Sequence, residues 1–101
     1  MSEEVRLDDA YVPSEDVVAR EIEGEIVIIP LVSGIGDIED ELYTLNETGQ
    51  AIWRRLDGAL SLRRVAGELA AEFDAPPESI ERDVLGLVRE LVSRRMVVRK
   101  G

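Results

Sequence analysis

The sequence predicts an α+β domain, with a small antiparallel sheet in its first half and a bundle of helices in its second. Three observations lead there. β-branched runs at residues 17–22 and 25–31 are split only by Glu23 and Gly24, a two-residue hairpin signal. Beyond Ala51, apolar residues recur at three- and four-residue spacing, the helical period. Between the two regimes, residues 43–58 read as a short strand handing over to a capped helix.

That junction organises the rest. Asn46 stands where the β-prone stretch ends, and its short side chain can accept a bond from the free N–H groups of the next turn. Glu47 adds negative charge at the positive end of the helix. Ala51, Ile52, Trp53 and Leu56 supply its buried side, and Gly58 is placed to end it in a left-handed conformation.

Upstream, residues 1–16 are acidic and carry Pro13, which predicts an irregular N-terminal arm docked at Tyr11 and Val12; residues 17–101 then form the single domain. The run 25–31 is apolar on both faces. It suits a central strand covered by helices on one side and by the arm on the other, with Pro30 marking where pairing stops. Residues 32–41 form an acidic loop with two glycines, in which at least one of Ile35 and Ile38 is expected to fold back on the sheet. Gly34 and Gly36 lack the full dinucleotide spacing and a following lysine, and Asp37, Glu39, Asp40 and Glu41 lack the spacing of a calcium loop. Glu41, Leu42, Tyr43, Thr44 and Leu45 make the third strand. In a meander it lies at the sheet margin, with a row of unpaired N–H and C=O groups.

Ser61 is positioned to cap a second helix built on Leu62, Val65, Ala66, Leu69, Ala70 and Phe73. Asp74 to Pro77 interrupts it, and Pro77 with Glu78 opens a third, longest helix that runs to about Arg95. Met96, Val97 and Val98 read as a short terminal strand. On the third helix Ile80, Val84, Leu87 and Leu91 fall within an arc of about 60°, a core-facing stripe. Leu85, Val88, Val92 and Met96 widen that arc by roughly another 100°, with Arg82 and Arg89 at its edge. This is more apolar surface than a three-helix core needs. Either the extra side packs on the sheet, or it lines a groove beside the edge strand, the arrangement that captures an extended peptide.

Composition narrows the chemistry. The chain has 101 residues, no cysteine, no histidine and a net charge of −10. Disulfides, thiol nucleophiles, histidine bases and the usual zinc sites are excluded, and no metal or cofactor is implied. The longest apolar run, residues 26–32, is too short to span a bilayer, so a soluble, cytoplasmic protein with no membrane partner is expected. Residues 1–52 carry fourteen acidic groups against Arg6 and Arg20, whereas residues 53–101 carry ten basic against eight acidic. Eleven of the twelve basic residues are arginine, which favours forked contacts to carboxylates.

The run Leu45-Asn46-Glu47-Thr48-Gly49, then Ala51-Ile52-Trp53, Leu56-Asp57-Gly58, Val65-Ala66, Leu69, Phe73-Asp74, Ile80-Glu81, Asp83-Val84 and Leu91 resembles the PqqD family, pyrroloquinoline quinone (PQQ) synthesis protein D. Its fold is also called the recognition element of ribosomally made, post-translationally modified peptides (RiPPs). The resemblance implies a three-stranded antiparallel sheet followed by a three-helix, winged-helix-like bundle without catalytic activity. It implies that the leader of a precursor peptide is bound as an added strand between the third strand and the third helix. The leader would then be presented to a modifying enzyme, expected to be of the radical S-adenosylmethionine type, by a monomer or a dimer. Carried over by position, the peptide-facing residues are Glu41, Leu42, Tyr43, Thr44 and Leu45 on the strand, and Arg82, Leu85, Val88, Arg89 and Val92 on the helix. The motif Leu45-Asn46-Glu47-Thr48 is expected to fix the strand-to-helix corner and not to touch the ligand. The acidic loop 32–41 is longer than the turn usual in the family, and nothing in the sequence resembles a fused modifying domain.

The alternative is a winged-helix DNA-binding regulator. It fares worse, because the third helix offsets Arg82, Arg89, Arg94 and Arg95 with Glu78, Glu81, Asp83 and Glu90, and a molecule at −10 repels phosphates. An enzyme would need groups converging on an acid pair such as Asp37 and Asp40, and the sequence supplies none.

Overall fold

The computed structural model describes residues 5–31 and 42–100. In chain order these form β1 (Tyr11–Pro13), β2 (Val17–Ile22), β3 (Glu25–Pro30), β4 (Tyr43–Leu45), α1 (Glu47–Trp53), α2 (Leu62–Phe73), α3 (Pro77–Ser93) and β5 (Val97–Arg99). The strand read third from the sequence is β4. Glu41 and the loop isoleucines Ile35 and Ile38 lie outside the described residues.

β2, β3 and β4 form an antiparallel sheet in that order. Glu23 and Gly24 both hold positive φ, 53° and 83°, so the two-residue turn has the left-handed backbone whose twist matches the strands it joins. The ladder then runs Ile22 to Glu25 through Val17 to Pro30, and Ile26, Val27 and Ile28 of β3 face Leu45, Thr44 and Tyr43 of β4. Ile26, Ile28 and Leu45 are buried against the helices, as the expected central strand requires.

The arm is not irregular. Residues 11–13 pair antiparallel with residues 97–99, Tyr11 opposite Arg99, so the first and last strands make their own two-stranded ribbon. Tyr11 is fully buried and Val5 nearly so. The carbonyls of Asp9 and Leu7 accept from the N–H groups of Leu62 and Arg63 at 3.0 and 2.8 Å, satisfying donors that the first turn of α2 leaves free. Residues 5–16 therefore belong to the packed unit, and the arm clasps the start of α2 and the ribbon where the sequence reading laid it over β3. Acidic composition hid this, because the strand is three residues long and its partner lies at the other end of the chain.

Gly58 is left-handed, with φ 82°, yet α1 has already ended at Trp53. Its role is different: a Cβ there would lie 2.7 Å from Val12 Cγ1 and 3.1 Å from Lys100 Cδ, so a bare backbone is needed where the α1–α2 loop meets the ribbon. Arg55 ties α1 to α2, donating to Glu72 Oε1 at 2.8 Å, Glu68 Oε1 at 3.2 Å and the Ala51 carbonyl at 3.3 Å. Ser61 caps α2 as expected, its Oγ accepting from Arg64 N–H at 3.3 Å. Asp74 ends that helix in the left-handed region, with φ 52°.

In α3 the buried residues are Ile80, Val84, Val88 and Leu91. The core-facing arc is thus turned by about 25° from the expected one: Val88 has replaced Leu87, which is only half-buried. Met96 and Val97 close the core beyond the helix.

Replacing Gly58 with alanine should cost more than about 1 kcal/mol, because the residue must keep positive φ and Val12 must give way. A thermal melt should show Tm lower by about 4–8 °C. An unchanged Tm would mean the loop is not seated on the ribbon.

Candidate functional site

β4 has one strand partner among the described residues, β3, and among those residues its other margin is open. Which groups lie on that margin follows from the hairpin. The two-residue turn closes on the hydrogen-bonded pair Ile22 and Glu25, and alternation along the ladder turns the backbone groups of Ile26 and Ile28 toward β4. Tyr43 and Leu45 commit their N–H and C=O groups to β3. Thr44 presents its own outward. Its side chain is exposed on the outer face, while Leu45 is buried and Tyr43 half-buried on the inner one. Leu42, just before the strand, is 58% exposed.

The corner after β4 is built tightly. Asn46 Oδ1 accepts from the N–H of Gly49 at 2.7 Å, and the Gln50 side chain donates to the Leu45 carbonyl at 3.3 Å. A Cβ on Gly49 would meet Asn46 Oδ1 at 3.2 Å and Leu45 Cδ2 at 3.3 Å, so the motif's glycine keeps the cap and the strand end in contact. The corner is structural, as the sequence suggested. It also borders open space.

That space is a cavity of about 320 Å³, lined from α1 by Asn46, Thr48, Gly49 and Ile52 and from α3 by Arg82, Asp83, Gly86 and Leu87. Further along α3 the Arg94 guanidinium carbon lies 5.0 Å from the centre of the Tyr43 ring, a cation–π distance. Arg94 also donates to Glu90 Oε2 at 2.6 Å, which holds the guanidinium in place. These contacts define one flank of α3, from Arg82 and Asp83 through Gly86 and Leu87 to Arg94. It runs antiparallel to β4, with Tyr43 near its C-terminal end and the corner near its N-terminal half.

The residues expected to face a ligand divide accordingly. Arg82 lines the cavity. Tyr43, Thr44 and Leu45 form the margin, and Leu42 extends it. Val88 is fully buried and belongs to the core, correcting its assignment to the groove. Leu85 and Val92 sit across the buried stripe, roughly 140–180° around the helix from Leu87 and Arg94, whereas Arg89, two turns beyond Arg82, lies within about 20° of it. Leu85 and Val92 are half-buried against the core and Arg89 is exposed. The sequence reading put Leu87 in the core stripe; in the structure it lines the cavity with Asp83 and Gly86, which the apolar pattern did not single out.

A three-stranded antiparallel sheet with an open margin, set against three helices and a terminal ribbon, defines the RiPP recognition element fold. The chain aligns with the PqqD truncation of Methylobacterium extorquens PqqCD at a TM-score of 0.73 and 22% identity, over 94% of this chain and 95% of that one. It aligns with lasso peptide synthetase B1 complexed with the leader peptide at a TM-score of 0.73 and 23% identity, over 87% and 96%. By sequence it is 40% identical over 58 residues to the PqqA binding protein of Xanthomonas oryzae pv. oryzae (strain PXO99A), covering 57% of this chain and 63% of that protein. The model of the family described as coenzyme PQQ synthesis protein D (PqqD) matches residues 25–97, and the chain belongs to that family.

The buried stripe and the exposed face of α3 should respond differently to truncation. In urea denaturation followed by Trp53 fluorescence, Val88→Ala should cost about 2 kcal/mol, the transfer of a fully buried valine. Arg89→Ala should stay within about 0.5 kcal/mol of the parent. Equal effects would place both residues in one environment.

Proposed function

We propose that this chain is a non-catalytic recognition module that captures the leader of a ribosomally made precursor peptide and presents it to a modifying enzyme in the cytoplasm. The observation that carries this reading is the margin of β4 without a strand partner among the described residues, with a cavity bounded by α1 and α3 at the corner that ends the strand. An extended peptide gains main-chain bonds from such a margin, and its alternate side chains reach the helices behind it. Two facts about similar proteins support it: one relative is named as a PqqA binding protein, and one protein of the same fold was solved with a leader peptide. The peptide-facing set is then Leu42 to Leu45 on the strand, with Arg82, Asp83, Gly86 and Leu87 on α3. A radical S-adenosylmethionine enzyme is the partner the family resemblance implies.

Capture of DNA is disfavoured by charge. The cavity flank of α3 carries Arg82 beside Asp83 and Arg94 bound to Glu90, so it offers little net positive charge, and the whole chain stands at −10.

Titration of the full chain with leader peptides encoded near its gene should move the backbone amides of residues 43–45 and 82–87. Thr44→Pro removes the outward N–H without taking a donor from the β3 ladder. It should weaken that binding about tenfold or more and shift Tm little. Undiminished affinity in Thr44→Pro would exclude strand addition at β4.

A further inference from the structure

The helices cover the inner face of the β2–β3–β4 sheet, where Ile26, Ile28 and Leu45 are buried. The outer face has no such cover among the described residues. Alternation from those inner residues, carried across the paired strands, brings Val18, Ile22, Val27, Ile29, Leu31 and Leu42 together on it. None of the six belongs to the core or packs against it, and Ile22 and Leu31 are 48% and 61% exposed. A central strand apolar on both sides calls for a second layer, yet the arm that the sequence reading laid there clasps α2 instead.

Charge and size say what the second layer is. Asp16, Glu23 and Glu25 stand exposed around this face against Arg20, within a half of the chain that carries fourteen acidic groups and two basic ones. A second copy would set acid against acid, whereas a partner rimmed by arginine and lysine is attracted. Strands about 4.8 Å apart, rising about 3.3 Å per residue, give this face a flat area of roughly 250 Å², far below the about 800 Å² that each side of a lasting complex buries. An extended peptide added at Thr44 turns its alternate side chains onto the same face and widens it by about a third. We propose that the outer face of the sheet is the docking surface for the modifying enzyme, through an apolar patch rimmed by basic side chains, and that the captured leader completes it. The inference rests on the peptide-capture reading for the added strand. The face is otherwise free when the cleft is filled, so the enzyme meets the peptide from the side away from α3 and binds the loaded chain in preference to the empty one.

The test titrates the full chain, with and without a leader peptide encoded near its gene, with the modifying enzyme encoded beside that leader. The enzyme should bind the loaded chain about tenfold more tightly than the empty one and should tighten the leader by the same factor. Ile22→Lys and Ile29→Lys should each weaken enzyme binding about tenfold or more while leaving leader binding without enzyme unchanged and Tm within about 4 °C. Glu25→Lys should weaken the enzyme several-fold and reduce the salt dependence of its binding. Ala71→Lys, on the exposed side of α2, should change neither. Undiminished enzyme binding in both isoleucine variants, equal affinity for loaded and empty chain, or no binding to the parent would each overturn the inference. A parent that sediments as a dimer split by Ile29→Lys would give the face to a second copy. A fall in Tm in both isoleucine variants as large as a core truncation causes would show the face already covered within the chain, and either result overturns enzyme docking there. Thr44→Pro separates the two readings, because it should lose the leader while keeping the weak binding of empty chain to enzyme. A parent that binds enzyme but no leader would sink strand capture and leave the docking face standing.

Discussion

One hydrogen bond sets the geometry on which the rest turns. Asn46 Oδ1 receives the Gly49 N–H at 2.7 Å, and this fixes the angle at which β4 gives way to α1. β4 must leave the sheet at that point for its far margin to stay open, and α1 must leave at that angle for a cavity to remain between it and α3. The bond is short, local and closed by a glycine that could not be alanine without pushing on Leu45. A cap of this kind contributes about 1 kcal/mol to stability. Its geometric effect is larger than its energetic one, because it orients an edge whose own three residues are too few to hold a direction.

The core and the open margin of the sheet are separated by the alternation of β4. Leu45 anchors the strand to Ile26 and the helices, while Thr44, one residue away, turns its backbone and side chain to solvent. The ladder needs Tyr43 and Leu45 and leaves Thr44 unused, so the fold loses nothing by lending that residue to another chain. The opposite margin of the sheet, β2, carries Arg20 and Glu21 within it and Glu23 in its turn, charges that discourage casual pairing. The asymmetry between the two margins leaves β4 the less guarded one.

Most of the fold was legible because its signals are local. The turn at Glu23 and Gly24, the caps at Asn46 and Ser61 and the break before Pro77 all depend on residues within four positions of one another. What was hidden depends on distant parts of the chain. The pairing of residues 11–13 with 97–99 has no local signature, and Gly58 read as a helix end because its true constraint, Val12, lies 46 residues away in sequence. The cavity-lining side of α3 was hidden for a similar reason: periodicity says how wide an apolar arc is, but not which of its edges a neighbouring helix will cover. Leu87 and Val88 are adjacent, both apolar, and separated by one question that only the position of α1 answers.

The ribbon joining the two ends carries a kinetic consequence. The register pairs Tyr11 with Arg99, so this clasp forms only after the hairpin and the three helices that lie between them in sequence have been made. Contacts at such separation are slow to form, because a long loop must be closed before they contribute anything. The hairpin β2–β3 and the helices, by contrast, assemble from near neighbours. The ribbon is then the last pairing to close, over a hairpin and helices that have already met their neighbours.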